Sequence, residues 1–229
     1  EQPFLGDHRI EGTPVLPGVM GIEAFAEVAS LPLPGWHAVA VEDVEFLAPC
    51  KFYRSEPRTL TITATFRPEG DQLVADCRLV GSRLLVGQAE PQVTTHFTGR
   101  VRLDRAPVRP EATAPPPAPD RLGTTADAIY DVYVHGPAYQ VLERAWRGER
   151  GPVGLMAAGL PADHVPAERP EVASPRLIEL VFQTAGIWEI GHHGRFGLPQ
   201  HVDRVVLHST GEPGGRVEAV VETNDGGFD

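Results

Sequence analysis

The first half of the chain predicts one helix followed by a series of strands. After Pro17, a residue tolerated in a first helical turn, apolar residues recur at helical spacing; they are Val19, Ile22, Ala26 and Ala29. Apolar and polar residues then alternate over four segments, as is typical of strands with one buried face; these are residues 37–49, 58–68, 72–82 and 91–103. The stretch PEGD between the second and third segments predicts a turn that joins them.

The second half repeats this plan. Residues 174–191 predict a helix, with Ser174 placed to cap it and Pro175 at its first position. Apolar residues surround this helix almost completely, which favours burial over a half-exposed position; they are Leu177, Leu180, Val181, Phe182, Ile187 and Trp188. Strands are predicted over 200–210 and 215–223. The pattern therefore predicts an α+β fold of two antiparallel sheets, each wrapped around a central helix.

A stretch rich in proline and alanine separates the two halves. Residues 105–120, RAPVRPEATAPPPAPD, have no apolar periodicity and are typical of a stiff, extended linker. We divide the chain into an N-terminal half over 1–104, a linker over 105–124 and a C-terminal half over 125–229. The sequence closes on NDGGFD, a turn signal, so we expect the C-terminal half to lack its last strands.

Composition removes several classes of function. The chain has 229 residues and a formal net charge of -11, which argues against a nucleic-acid-binding protein. Its longest apolar runs are too short to cross a bilayer. The two cysteines, Cys50 and Cys77, form no disulfide framework or metal-ligand spacing and indicate plain thiols in a reducing cytoplasm. His192 and His193 lack acidic or cysteine partners at a zinc spacing, so no metal is expected.

Three short motifs carry the candidate chemistry. The first is DHRIEGTPVLPG, in which His8, Gly12 and Pro17 have the spacing H-x-x-x-G-x-x-x-x-P. Glycine permits positive φ or a close approach to a ligand, and the prolines restrict the loop, so the loop can hold one imidazole in a fixed direction. Histidine is suited to proton transfer because its pKa of about 6.5 lies near neutral pH. The other motifs are HGPAYQ, residues 135–140, and LIELVFQ, residues 177–183.

These motifs, in this order, resemble the dehydratase domain of type I polyketide synthases, a double hotdog, over nearly the whole chain. Their form is most similar to iterative and polyunsaturated-fatty-acid-type synthases. The resemblance implies removal of water from a 3-hydroxyacyl thioester to give a 2-enoyl thioester, without metal or cofactor, the substrate being carried on the phosphopantetheine of an acyl carrier protein. It implies His8 as the base and Glu179 as the acid. It assigns substrate binding to Gly12, Pro17, His135, Gly136, Pro137, Tyr139 and Gln183.

Two positions depart from the family pattern. Glu179 stands where the family has aspartate, and His135 stands where modular relatives often carry tyrosine. Ile178, Leu180 and Val181 flank Glu179, so we expect burial to raise the pKa of its carboxyl and keep it protonated. Gln183 lies one turn further on the same helix face and can hydrogen-bond this carboxyl or the leaving hydroxyl.

The glutamate leaves alternatives open. The same fold can act as a cyclase or a double-bond isomerase, or as a non-catalytic module that shelters the growing chain. The expected partners are the carrier protein and other domains of one synthase, with a homodimer as a further possibility. Two arginine clusters are candidate docking sites for an acidic carrier; they are Arg100, Arg102 and Arg105, and Arg144, Arg147 and Arg150.

Overall fold

The structure is a computed structural model that describes residues 2–53, 57–84, 87, 89–111, 116, 123–195, 197–208, 215–224 and 227–228. The elements before the linker are α1 (Pro3–Asp7), β1 (Arg9–Ile10), β2 (Thr13–Pro14), α2 (Gly18–Ser30), β3 (His37–Phe46), β4 (Leu60–Glu69), β5 (Gln72–Arg83) and β6 (Gln92–Asp104). Those after it are β7 (Thr124–Thr125), α3 (Ala126–Tyr130), a 3₁₀ turn (Pro137–Tyr139), β8 (Leu142–Arg147), β9 (Pro152–Met156), α4 (Pro175–His193), β10 (His201–Val206), β11 (Glu218–Val220), β12 (Thr223–Asn224) and β13 (Gly227–Phe228).

The first sheet packs against α2. Its five strands run in the order β10-β3-β6-β5-β4, and all neighbouring pairs are antiparallel. The predicted helical stripe forms the centre of this core, because Val19, Ile22, Ala26 and Ala29 are fully buried. The alternating pattern of β5 likewise puts Ala75, Cys77 and Leu79 in the interior. The helix and the four strands predicted from the first half are therefore confirmed.

One strand of the second half belongs to the first sheet. β10 follows α4 in the chain, yet it pairs with β3, with Val205 opposite Val41. The expectation that each half builds its own sheet is wrong for this strand, because the edge of β3 offers a free ladder that a later strand can complete. The sheets therefore do not follow the division of the chain at 105–124.

The second sheet is smaller and packs on α4. Its strands run in the order β11-β9-β8-β7. The start of α4 is buried around Ile178, Leu180 and Gln183, whereas Val181 is 38% exposed and burial declines toward the C-terminal end. The helix is thus less completely buried than its apolar residues predict.

The ends of α4 are formed by the backbone. Ser174 lies in the left-handed region (φ 53°) and makes no side-chain capping bond; its carbonyl instead accepts the N–H groups of Leu177 and Ile178. The predicted side-chain cap is therefore wrong. At the other end, Gly194 takes the left-handed conformation common after helices.

Parts of the linker and the C-terminus lie outside the described residues. Of the predicted linker, residues 112–115 and 117–122 are not described. β12 and β13 pair with each other through Thr223 and Phe228, on either side of residues 225 and 226, which are also not described. No helix among the residues given above is long and apolar enough to span a membrane.

Candidate active site

The first motif folds into a small hairpin that fixes the His8 ring. β1 and β2 pair across Glu11 and Gly12, whose φ angles of 50° and 76° are those of a type I′ turn. The His8 Nδ1 lies 2.8 Å from the Val15 carbonyl oxygen. Because a carbonyl only accepts, Nδ1 must carry a hydrogen, which leaves the lone pair of Nε2 on a neutral ring for another proton.

The hairpin is attached to the rest of the first half on both sides. The N–H of Leu16 donates to the Cys50 carbonyl at 3.0 Å, and the N–H of Phe52 donates to the Pro14 carbonyl at 2.8 Å. Pro17 then ends the segment, and its carbonyl accepts N–H groups of the first turn of α2. Gly12 and Pro17 thus shape the backbone, and their assignment to substrate binding stays a prediction.

Asp7 joins the first motif to the second. Its backbone carbonyl accepts the N–H of Gly136 at 2.6 Å, and its carboxylate accepts the N–H of Ala138 at 2.9 Å. A β-carbon at position 136 would lie only 2.3 Å from the Asp7 Oδ1, so the close approach requires glycine. His8 and His135 consequently form an antiparallel bridge, and their ring centroids lie 5.5 Å apart.

The third motif places a buried carboxylate beside this pair of rings. Glu179 is 6% exposed, and its Oε1 accepts a hydrogen bond from the Gln183 amide at 2.9 Å. The same oxygen lies 3.2 Å from the His135 Nε2. His135, Glu179 and Gln183 therefore form one connected group, in which the contact of Gln183 with Glu179 is the one that their spacing on α4 predicts.

Gln183 is itself fixed from three directions. It donates to the Tyr139 carbonyl at 2.9 Å, while its side-chain oxygen accepts the Tyr130 hydroxyl at 2.8 Å. Its backbone carbonyl accepts the Tyr133 hydroxyl at 2.9 Å. Sequence analysis missed Tyr130 and Tyr133. The one sequence signal for them is their spacing of three residues just before the HGP motif, which lets both hydroxyl groups lie on the same side of the chain.

The remaining motif residues belong to a backbone turn and to the core. Pro137 begins the 3₁₀ turn, and Tyr139 ends it with no exposed surface. Burial raises the pKa of the Tyr139 phenol, so this side chain packs as a neutral ring. Its binding of substrate stays a prediction, as does that of Gly136 and Pro137.

The electrostatics of Glu179 differ from the sequence-based expectation. Burial alone would raise the pKa of its carboxyl, but the hydrogen bond and charge of His135, the amide of Gln183 and the charge of His8 together lower it. The predicted burial is confirmed and the predicted raised pKa is wrong, because neighbouring donors outweigh desolvation.

His8 is tuned toward its neutral form. Burial lowers the pKa of its ring below the ordinary value; the bond to the Val15 carbonyl and the negative charge of Glu179 oppose this in part, whereas His135 adds to it. A neutral imidazole is the form that can accept a proton, so the surroundings favour a base at this position.

A second polar group lies apart from these rings. Asp163, His164 and Glu171 bring ligand-type atoms within 4.8 Å of one another, and His192 and His193 are not part of this group. The His164 Nδ1 contacts the Asp163 carboxylate at 2.8 Å, and the Arg176 guanidinium lies 3.6 Å from its other oxygen. The cationic side chains of the protein itself thus balance the carboxylate.

The arginine clusters are partly neutralised. Arg100 pairs with Asp43, and Arg102 contacts Glu42 and Glu69, each at 2.9 Å. The first cluster therefore offers less free positive charge than the sequence suggests. Docking of a carrier protein at either cluster stays a prediction.

Two sheets, each packed on a central helix, and a site in which two histidine rings lie beside a buried glutamate define a module of hotdog type. Comparison with known proteins agrees. The family described as "Polyketide synthase dehydratase N-terminal domain" matches residues 105–229, more than half of the chain, and that described as "Polyketide synthase dehydratase domain" matches residues 1–76. The chain belongs to the polyketide synthase dehydratase domains, which confirms the resemblance drawn from its motifs.

Individual relatives give the same picture. Polyketide synthase ThaG of Burkholderia thailandensis is 27% identical over 93% of this chain, and a polyunsaturated fatty acid synthase from Thraustochytrium sp. is 26% identical over 90%. The chain spans only 4% and 7% of the lengths of these two proteins. The dehydratase domain from the CurF module of curacin polyketide synthase has a TM-score of 0.73 at 19% identity, covering 97% of this chain and 79% of that one, which shows the double-hotdog fold.

Proposed function

We propose that this domain removes water from a 3-hydroxyacyl thioester to give a 2-enoyl thioester during chain assembly. The observation that carries the proposal is that a candidate proton acceptor and a candidate proton-donating group lie side by side in one site. The His8 Nε2 has a free lone pair, and the hydrogen-bonded group of His135, Glu179 and Gln183 lies beside this ring. Base and acid come from the two ends of the chain, so they meet only in the folded domain.

The reaction needs both roles at once. The C2–H bond breaks, and His8 takes the proton. The electron pair of that bond forms the C2=C3 double bond as the C3–O bond breaks, and the oxygen leaves as water after receiving a proton from the group of His135, Glu179 and Gln183. Each proton transfer of this kind contributes roughly a hundredfold to ten-thousandfold to the rate.

The substrate is a thioester on the phosphopantetheine arm of an acyl carrier protein. The motifs that match dehydratase domains support this carrier, as does the occurrence of related sequence within much longer synthases. The chemistry proposed for His8 and Glu179 requires neither metal nor organic cofactor, since every proton is held by a side chain.

Incubation of the domain with a panel of 3-hydroxyacyl carrier-protein thioesters, followed by mass spectrometry, tests the proposal. We expect a product lighter by one water. His8→Ala should lose this activity, whereas His37→Ala, at the exposed start of β3, is the matched control and should retain it. With a 2-enoyl thioester as substrate, a product of unchanged mass with a shifted double bond would indicate an isomerase. A ring-closed product would indicate a cyclase, and unaltered substrate bound to the domain would indicate a chain-sheltering module.

A further inference from the structure

The two departures from the family pattern touch each other. His135 replaces the tyrosine that modular relatives often carry, Glu179 replaces the aspartate, and their Nε2 and Oε1 atoms lie 3.2 Å apart. Both side chains are more than nine-tenths buried. Because these two side chains touch, we treat the departures as one paired change and judge the role of each residue together with that of the other.

The surroundings of Glu179 favour an anion. Its Oε1 accepts the Gln183 amide hydrogen at 2.9 Å, and that amide is oriented by its second bond to the Tyr139 carbonyl. A hydrogen on the His135 Nε2 gives the same oxygen a second donor. A buried carboxylate that accepts such bonds is stabilised in its charged form, and a charged carboxylate has no proton to give to a leaving hydroxyl.

The other nitrogen of His135 has a free position. Its Nδ1 is buried and has no hydrogen-bond partner among the residues described. A buried polar atom without a partner destabilises the fold, so such atoms are informative about ligands. The ring also lies close to His8, with centroids 5.5 Å apart, so the unpartnered nitrogen belongs to a side chain beside the proposed base.

We propose that His135 is the proton donor, giving the hydrogen on its Nδ1 to the leaving hydroxyl, and that Glu179 is the buried counter-ion that holds its ring in the charged form. The proposal rests on the dehydratase function proposed above. Within the group that supplies the proton, it assigns the donor role to His135 and the counter-ion role to Glu179. As the C3–O bond breaks, the Nδ1–H bond breaks and its hydrogen completes a water molecule. His135 ends neutral and His8 ends charged, and one proton returned from His8 to His135 resets the pair.

This division of roles between His135 and Glu179 explains why a glutamate can stand at position 179. In the two-residue mechanism, a longer side chain displaces the acid, and a misplacement of about 1 Å costs about a hundredfold in rate. As a counter-ion, Glu179 needs only to reach His135, which it does.

His135→Gln tests the donor role most directly. The glutamine amide can still donate to Glu179 but supplies no acid, so we expect kcat to fall by at least about a hundredfold while thermal unfolding stays near that of the wild type. The alkaline limb of the kcat profile should disappear as well. Unchanged kcat in His135→Gln, or an alkaline limb that persists, would overturn the proposal and return the donor role to Glu179.

A double-mutant cycle tests the pairing. His135→Tyr and Glu179→Asp should each lose activity, whereas the double variant restores the family pair and should be more active than the product of the two single effects predicts. Strictly additive losses would contradict the paired change. If the wild type dehydrates no member of the panel, the proposed function itself is wrong. If the wild type is active and the His135→Gln variant is fully active, only the proposal about His135 is wrong.

Discussion

Replacing Asp7 tests whether the contact between the first two motifs sets the geometry of the site. Asp7 lies at the end of α1, next to His8, and its carboxylate accepts the N–H of Ala138, a residue that is 1% exposed. Asp7→Ala removes that acceptor and leaves a buried amide without a partner. The bond from the Gly136 N–H to the Asp7 carbonyl is a backbone bond and survives the change.

The expected magnitudes follow from these contacts. A hydrogen bond to a charged group contributes about 1.5–3 kcal/mol, so the free energy of unfolding should fall by about 2 kcal/mol. For a chain of this size, that corresponds to a decrease in Tm of about 4–8 °C. Because the surviving backbone bond limits the displacement of His8, we expect kcat to fall by about tenfold to a hundredfold, the upper limit being the usual cost of a 1 Å misplacement.

Calorimetry and steady-state dehydration assays measure the two effects on the same preparation. Asp7→Asn retains an acceptor oxygen and should lose less of both quantities. Asp71→Ala, in the exposed turn between β4 and β5, removes the same charge elsewhere and serves as the control. An Asp7→Ala domain with the stability and kcat of the wild type would refute the idea that this contact positions the base.

Three further predictions concern other parts of the molecule. Because burial lowers the pKa of His8, and a base must be neutral, kcat/KM should rise with pH through an apparent pKa below 6.5, the ordinary value, and a pH profile from about 4 to 8 checks this. Gly136→Ala should lower Tm and kcat together, since its β-carbon would meet Asp7; Gly70→Ala, in an exposed turn, should leave kcat unchanged. Burial raises the pKa of Cys50 and raises that of Cys77 to about 12, so Ellman's reagent should react with neither thiol until the domain is unfolded.

Local patterns were sufficient for most of the individual elements. The stripe of α2 and the alternation of β5 follow from residues within one segment, because each element has one face toward the core. The pairing of β10 with β3 could not be predicted in the same way, since the choice of partner strand depends on which sheet edge is available after folding. Nothing in residues 201–206 distinguishes one edge from the other.

The residues of the site can be divided in the same way, into those that a local motif predicts and those that depend on contacts between distant segments. The resemblance carried by the motifs names His8, Glu179 and Gln183 as candidates. In the structure Gln183 donates to Glu179, and His8 lies beside His135, which contacts Glu179. Asp7 was missed because it acts on backbone amides, and backbone contacts between distant segments leave no side-chain pattern to detect. Only the 2.3 Å approach of a β-carbon at position 136 to the Asp7 Oδ1 shows which residue lies beside Gly136.

The pKa of Glu179 shows that predicting the burial of a carboxyl group is not enough to predict its charge. Its apolar neighbours on α4 correctly indicated burial, and burial by itself favours the protonated acid. The direction reversed because His135, from a motif far earlier in the chain, and Gln183 both donate to the same oxygen. A conservative substitution at an acid position therefore has to be judged with the residue that faces it. Here that residue is His135, whose Nε2 lies 3.2 Å from the Glu179 Oε1, so the charge of the carboxyl depends on the imidazole beside it.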